Sequence, residues 1–167
     1  MKQFLLIIEG PMGSGKTTIG DILHAELKRT ALVNTAHIKN FVSDFESNPE
    51  DNAMTAAVMF AMCEEYIKQG ISLLLPQAFW QKEFVEPYIK LARDNNIPFL
   101  MYQLEANTAT LRERIIDRPK HVDAAKMEAS FRKWEENRYD LGKILNTGEL
   151  SADEAAQIIR ADIDRLA

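Results

Sequence analysis

The sequence predicts an α/β domain built on a mostly parallel five-stranded sheet. Five short apolar runs, at 4–8, 31–33, 71–75, 98–104 and 144–145, lack in–out alternation, which marks strands buried on both faces. Segments of helical pattern lie between the runs, so strand and helix alternate along the chain. No repeat, low-complexity tract or long Gly/Ser/Pro linker interrupts the alternation, so the 167 residues read as one domain, 1–167.

The elements follow in order. The first strand, Phe4-Leu5-Leu6-Ile7-Ile8, runs into Glu9 and Gly10. A helix over 17–29 keeps Ile19, Ile22, Leu23 and Leu27 on one stripe. The second strand is the brief Ala31-Leu32-Val33. Residues 51–69 are helical by length, with Gly70 as the C-terminal stop. After the third strand, a helix over 82–95 contains Pro87, which is expected to kink it or to mark a late start. Asn107 caps a helix over 107–117 after the fourth strand. Residues 123–137 carry Met127, Phe131 and Trp134 at helical spacing, a packed face. Beyond the weak fifth strand, Ser151-Ala152-Asp153-Glu154 forms a capping box that opens the last helix. Ligands of parallel sheets bind beyond the carboxyl ends of the strands. Function is therefore expected in the loops after Ile8, Val33, Leu75 and Leu104.

Composition narrows the class. Hydrophobic residues make up 46% and charged residues 27%, an ordinary globular balance. A net charge of -5 argues against a nucleic-acid partner, which needs a basic surface. The single cysteine, Cys63, allows no internal disulfide and reads as a buried thiol. The N-terminal apolar run is too short to span a membrane and lacks a cleavage signal. A cytoplasmic protein with no membrane partner is expected.

The sharpest signal is Gly10-Pro11-Met12-Gly13-Ser14-Gly15-Lys16-Thr17, followed by Thr18, which matches G-x-x-x-x-G-K-[ST], the P-loop or Walker A pattern. It follows a predicted strand and opens a predicted helix, the context the pattern requires. Its glycines let successive N–H groups turn inward on an anion, and the helix adds the positive end of its dipole. Lys16 would reach the outer phosphates and the Thr17 hydroxyl would ligate Mg²⁺. The expected ligand is a nucleoside triphosphate with Mg²⁺. The chain has no N-K-x-D for guanine and no glycine-rich transporter signature.

With these residues in place, the chain resembles small-molecule kinases of the P-loop NTPase superfamily, the group of gluconate kinase, adenylylsulfate kinase, chloramphenicol phosphotransferase and the zeta-toxin-like proteins. Besides the loop and its strand, the resemblance rests on four weaker features. These are Thr35-Ala36-His37-Ile38-Lys39; Gly70-Ile71-Ser72-Leu73-Leu74-Leu75; Leu104-Glu105-Ala106 with Leu111, Arg114 and Arg118; and Ile144-Leu145-Asn146-Thr147 before a capped helix. The resemblance implies a three-layer α/β/α P-loop NTPase fold with a small lid, at about 112–124. It implies ATP as phosphoryl donor, Mg²⁺, and a small-molecule acceptor. It implies that the lid arginines, Arg114 and Arg118 and less so Arg112, stabilise charge on the transferring group, the main need of phosphoryl transfer.

Two carboxylates of the pattern are missing. Such kinases place an Asp after the second strand to orient or deprotonate the acceptor hydroxyl; here the position is Ala36. Many hold the magnesium water shell with an acid at the end of the third strand; here that strand runs into Pro76-Gln77. Three readings remain open. Other residues substitute: His37, Asp44, Glu46, or Glu9, which has a counterpart before the loop in nucleoside and thymidylate kinases. Alternatively, a phosphate or carboxylate acceptor needs no base. Or transfer is lost, leaving a nucleotide-binding regulatory module or an NTPase. Phe79, Trp80, Gln77, Gln81, Lys39 and Lys82 are candidates for acceptor contacts, while His24, His121 and the apolar helix 53–62 read as surface and core.

Overall fold

The computed structural model describes residues 2–117 and 122–166. Its elements are β1 (Leu5–Glu9), α1 (Lys16–Glu26), β2 (Thr30–Leu32), α2 (Thr35–Lys39), α3 (Pro49–Lys68), β3 (Ser72–Pro76), α4 (Lys82–Asp94), β4 (Phe99–Glu105), α5 (Thr108–Ile116), α6 (Ala124–Glu136), β5 (Lys143–Asn146) and α7 (Ala152–Asp164). The strands form one sheet in the order β2-β3-β1-β4-β5, and every pairing is parallel. Leu5 lies opposite Leu73 on one side and Phe99 on the other, which puts β1 at the centre with all five of its residues buried.

Alternation along β1 produces the three layers, because successive side chains point to opposite faces. Leu5 and Ile7 join Leu73, Leu75, Met59, Cys63, Val85 and Tyr88 on the face covered by α3 and α4. Phe4, Leu6 and Ile8 join Leu74, Ile19, Leu23 and Ile159 on the face covered by α1 and α7. A third cluster, Leu111, Ile115, Met127 and Phe131, holds α5 against α6, with Met12 of the glycine loop packed on it.

Helix ends follow from their caps. Asn34, Asn48, Asn107, Asp123 and Ser151 each accept a hydrogen bond from a backbone N–H of the helix they precede, with Ser151 and Glu154 closing a full capping box. α3 buries Thr55, Met59, Cys63 and Ile67 at intervals of one helical turn; of the stretch 53–62 expected as core, Thr55 and Met59 are buried, while Ala53, Ala56, Ala57, Val58 and Ala61 are exposed. Pro87 does not end or delay α4, which runs unbroken over Lys82–Asp94. Pro87 and Glu83 are both exposed in its first turns, so the carbonyl that the proline leaves unbonded meets water. A helical turn, α2, follows β2, and Asn34 starts it. Among the described residues no helix is long and apolar enough to cross a membrane.

Candidate nucleotide and phosphoryl-transfer site

The glycine loop lies at the carboxyl end of β1. Gly13 and Gly15 have φ of 84° and 96°, left-handed values that favour glycine. A Cβ on Gly13 would stand 2.8 Å from the Leu111 carbonyl oxygen, so α5 presses on the loop from outside. Gly15 occupies the N-cap of α1 and offers no side chain, leaving the first amides of α1 without a cap. The Ser14 hydroxyl is buried and has no partner among the described residues. Lys16 curls back over the loop, its Nζ donating to the carbonyls of Gly10 at 2.7 Å and Pro11 at 2.8 Å. Left-handed glycines, uncapped amides, an orphaned buried hydroxyl and a lysine over the loop fit a nucleotide's phosphates. Thr17 and Thr18, exposed in the first turn of α1, flank the same opening. The Thr17 hydroxyl is an oxygen donor of the kind Mg²⁺ takes, and among the described residues no group of three or more His, Cys, Asp or Glu could hold a metal ion.

Glu9, the last residue of β1, is fully buried. Its Oε1 accepts from the backbone N–H of Phe79 at 3.1 Å and of Trp80 at 3.0 Å, and its Oε2 accepts from the Tyr139 hydroxyl. Burial pushes its carboxyl above the ordinary value of 4.5, against the pull of these three donors and of Lys16. Burial, and then the bond to Glu9 and its charge, drive the Tyr139 hydroxyl well above its usual range. Glu9 thus ties the loop after β3 to the segment after α6. Trp80 has φ of 65°, strained for an aromatic residue, and Lys133 of α6 lies 5.1 Å from its ring centroid.

The positions of the missing acids are also occupied. Ala36 is exposed in α2. Gln77 Oε1 accepts from the Thr35 N–H at 3.1 Å and from its hydroxyl at 2.9 Å, stitching the end of β3 to the start of α2. His37, Asp44 and Glu46 are exposed, and Phe79 is buried in the core.

Arg114 lies on α5 and reaches the end of β5, donating to the Thr147 carbonyl at 2.5 Å and to its Oγ1 at 3.3 Å. Arg112 is exposed and makes a two-pronged pair with Glu128 of α6, at 2.8 and 2.9 Å. Arg118 lies outside the described residues, as does His121, so the 112–124 segment is described only on either side of them. Glu105, at the end of β4, pairs with Arg138. A groove beside the loop is lined by Pro11, Ala106, Leu111, Phe131, Trp134 and Arg138, so Trp134 is half-buried at this groove and not in the core. Cys63 is buried as expected, its thiol pushed up to about 12 by burial and by Glu64.

Sequence reasoning missed Tyr139 and Lys133, and it singled out Thr147 without its contact to Arg114. Each meets its partner across 33 to 130 residues of chain or across an aromatic face, and no local pattern marks such a contact.

Three solved structures illustrate the fold. The Mycobacterium tuberculosis APS kinase CysC, in complex with AMPPNP and APS, is 16% identical with a TM-score of 0.73, covering 98% of each chain. A sugar kinase from Janibacter sp. HTCC2649 is 15% identical with a TM-score of 0.71, over 97% of this chain and 95% of its own. Chaetomium thermophilum Kti12, in complex with ADP-AlF3, is 16% identical with a TM-score of 0.71, over 98% and 99%. At these identities the likeness is one of fold: the three-layer P-loop NTPase arrangement expected from the sequence. No curated protein matches the chain. A family model described as "AAA domain" matches residues 5–141, from the first strand to the segment after α6, and the chain belongs to that family.

Proposed function

We propose that the protein is an ATP-dependent phosphotransferase that moves the γ-phosphoryl group to a small-molecule acceptor. One observation carries the reading: Lys16 lies over a loop of left-handed glycines at the uncapped start of α1, at the carboxyl end of the central strand. On nucleotide binding, phosphate oxygens take the place of the Gly10 and Pro11 carbonyls as partners of the Lys16 ammonium. The amides of 13–18 hold the phosphates, and the Thr17 hydroxyl holds Mg²⁺, which would offset phosphate charge. Arg114, which starts from its bonds to Thr147, and Arg118 clamp the charge that builds on the transferring group. The partner is a small molecule and not a nucleic acid, in keeping with a net charge of -5, and the compartment is the cytoplasm.

The test is transfer of labelled phosphate from ATP, and in parallel from GTP, to a pooled acceptor library with Mg²⁺ present. The wild type is expected to yield a labelled product from ATP, and Lys16→Ala none, with an unchanged melting temperature. Full activity in Lys16→Ala would refute the site.

A second reading has its own observation. Ala36 replaces the acid after β2, and Gln77 is bonded to Thr35. This favours a nucleotide-binding module, or an NTPase, without acceptor phosphorylation. Tight nucleotide binding with no labelled product, or hydrolysis raised by a protein partner, would select it.

A further inference from the structure

Phosphoryl transfer to an alcohol needs a group to take the hydroxyl proton. In this fold that group must reach the carboxyl ends of the strands, where the loop holds the phosphates. Each strand end can be followed in turn. β1 ends in Glu9, whose carboxylate is fully buried and accepts from the Phe79 N–H, the Trp80 N–H and the Tyr139 hydroxyl. β2 is followed by Asn34, buried and accepting from the His37 N–H at 3.0 Å. β3 is followed by Gln77, a neutral amide bonded twice to Thr35. β4 ends in Glu105, ion-paired with Arg138. β5 ends in Asn146, which accepts from the Gly148 N–H at 3.0 Å. Both carboxylates at the strand ends are thus held by donors.

Positive charge stands in the same region. Gln77 fixes the start of α2, and one turn on, Lys39 lies 4.9 Å from the Phe45 ring centroid. In the loop after β3, the Trp80 ring has Lys133 of α6 at 5.1 Å from its centroid. Among the described residues neither lysine forms an ion pair. Two ammonium groups held over aromatic faces suit an anion that arrives with the acceptor.

We infer that the acceptor brings its own nucleophilic oxyanion, as a phosphomonoester or a carboxylate, so that transfer needs no protein base. This rests on the phosphotransferase reading above. An ionised acceptor oxygen attacks the γ-phosphorus. The bond from that phosphorus to the β–γ bridging oxygen breaks, and ADP leaves with the electron pair. No proton moves in the step. The product is a phosphoanhydride from a phosphomonoester or an acyl phosphate from a carboxylate. Ala36 is then no defect, because there is no hydroxyl to deprotonate.

The experiment offers the full-length protein labelled ATP and Mg²⁺ with three acceptor sets: nucleoside and sugar monophosphates, carboxylic acids, and alcohols without either group. Phosphorus NMR and hydroxylamine treatment identify the bond formed. Only a P–O–P linkage, or an acyl phosphate cleaved by hydroxylamine, is expected. Lys39→Gln and Lys133→Gln are each expected to raise the acceptor KM about two- to fivefold with little change in kcat, the scale of a partly exposed charge contact. Label on an alcohol oxygen, lost in His37→Gln or Asp44→Asn, overturns the inference and leaves the kinase reading standing. Nucleotide binding with no product from any set overturns both.

Discussion

The buried Glu9 allows a prediction that needs neither nucleotide nor acceptor. Truncation by Glu9→Ala leaves the Phe79 N–H, the Trp80 N–H and the Tyr139 hydroxyl without their acceptor. An unsatisfied buried donor costs about 1–3 kcal/mol. The Phe79 side is buried, while Trp80 and Tyr139 are half-buried and reach water more readily. Counting about 1 kcal/mol for each donor, and about 1 kcal/mol for the space left in the interior, gives a loss of about 4 kcal/mol. Relief of the Trp80 backbone, at φ 65°, returns about 1 kcal/mol, so a net loss of about 3 kcal/mol is expected. Glu9→Gln behaves differently. Its carbonyl oxygen accepts from both amides and its NH₂ donates to the Tyr139 oxygen, so all three contacts survive without a buried charge. It should lie within about 1 kcal/mol of the wild type at neutral pH. The pH dependence fixes the sign. Burial raises the folded carboxyl above 4.5, so over the interval from 4.5 to the folded value the native state binds more protons than the unfolded state. Glu9 therefore favours the fold most below 4.5, and its contribution falls as pH rises through the folded value. Glu128, Glu154 and Asp162 are shifted down and act with the opposite sign. They are common to both proteins and cancel in the difference. Urea unfolding of wild type, Glu9→Gln and Glu9→Ala from about pH 4.5 to pH 8 measures all of this. Parallel curves for wild type and Glu9→Gln, or a cost below about 1 kcal/mol for Glu9→Ala, would refute the reasoning.

Gly13→Ala places a Cβ 2.8 Å from the Leu111 carbonyl at a φ of 84°, so the loop must leave its cradle. Nucleotide affinity, read by calorimetry, should fall at least about tenfold and stability by about 2 kcal/mol. Arg114→Ala removes the bonds to Thr147 that join α5 to the end of β5, and should cost about 1–2 kcal/mol in urea unfolding together with a fall in kcat. Arg114→Lys should not restore kcat, since an ammonium cannot reproduce the two-pronged guanidinium contact.

What the sequence made legible is what short stretches determine by themselves. The strands were found within a residue or two because an apolar run flanked by helices has no other stable place than a parallel sheet, and Asn107 and Ser151 start their helices by local hydrogen bonds. The glycine loop was legible because its backbone needs glycine whatever surrounds it. The late start that Pro87 suggested did not occur, because a proline on an exposed early turn costs little, and exposure is a property of the fold. The polar links of the site were out of reach for the same reason: Tyr139 meets Glu9 across 130 residues and Gln77 meets Thr35 across 42. Yet Glu9 carried a signal that physics could have used further. A carboxylate closing an apolar strand at the centre of a parallel sheet must be buried, and a buried carboxylate must find donors. The nearest donors are the amides of the loop after the neighbouring strand β3, and Oε1 accepts from two of them. Once Glu9 is held in this way it is a poor candidate for a base, because a fully buried carboxylate with both oxygens engaged by donors is not open to an acceptor hydroxyl. On the proposed phosphotransferase reading, the chemistry would then rest on the phosphate loop, on the arginines and on the charge of the acceptor itself.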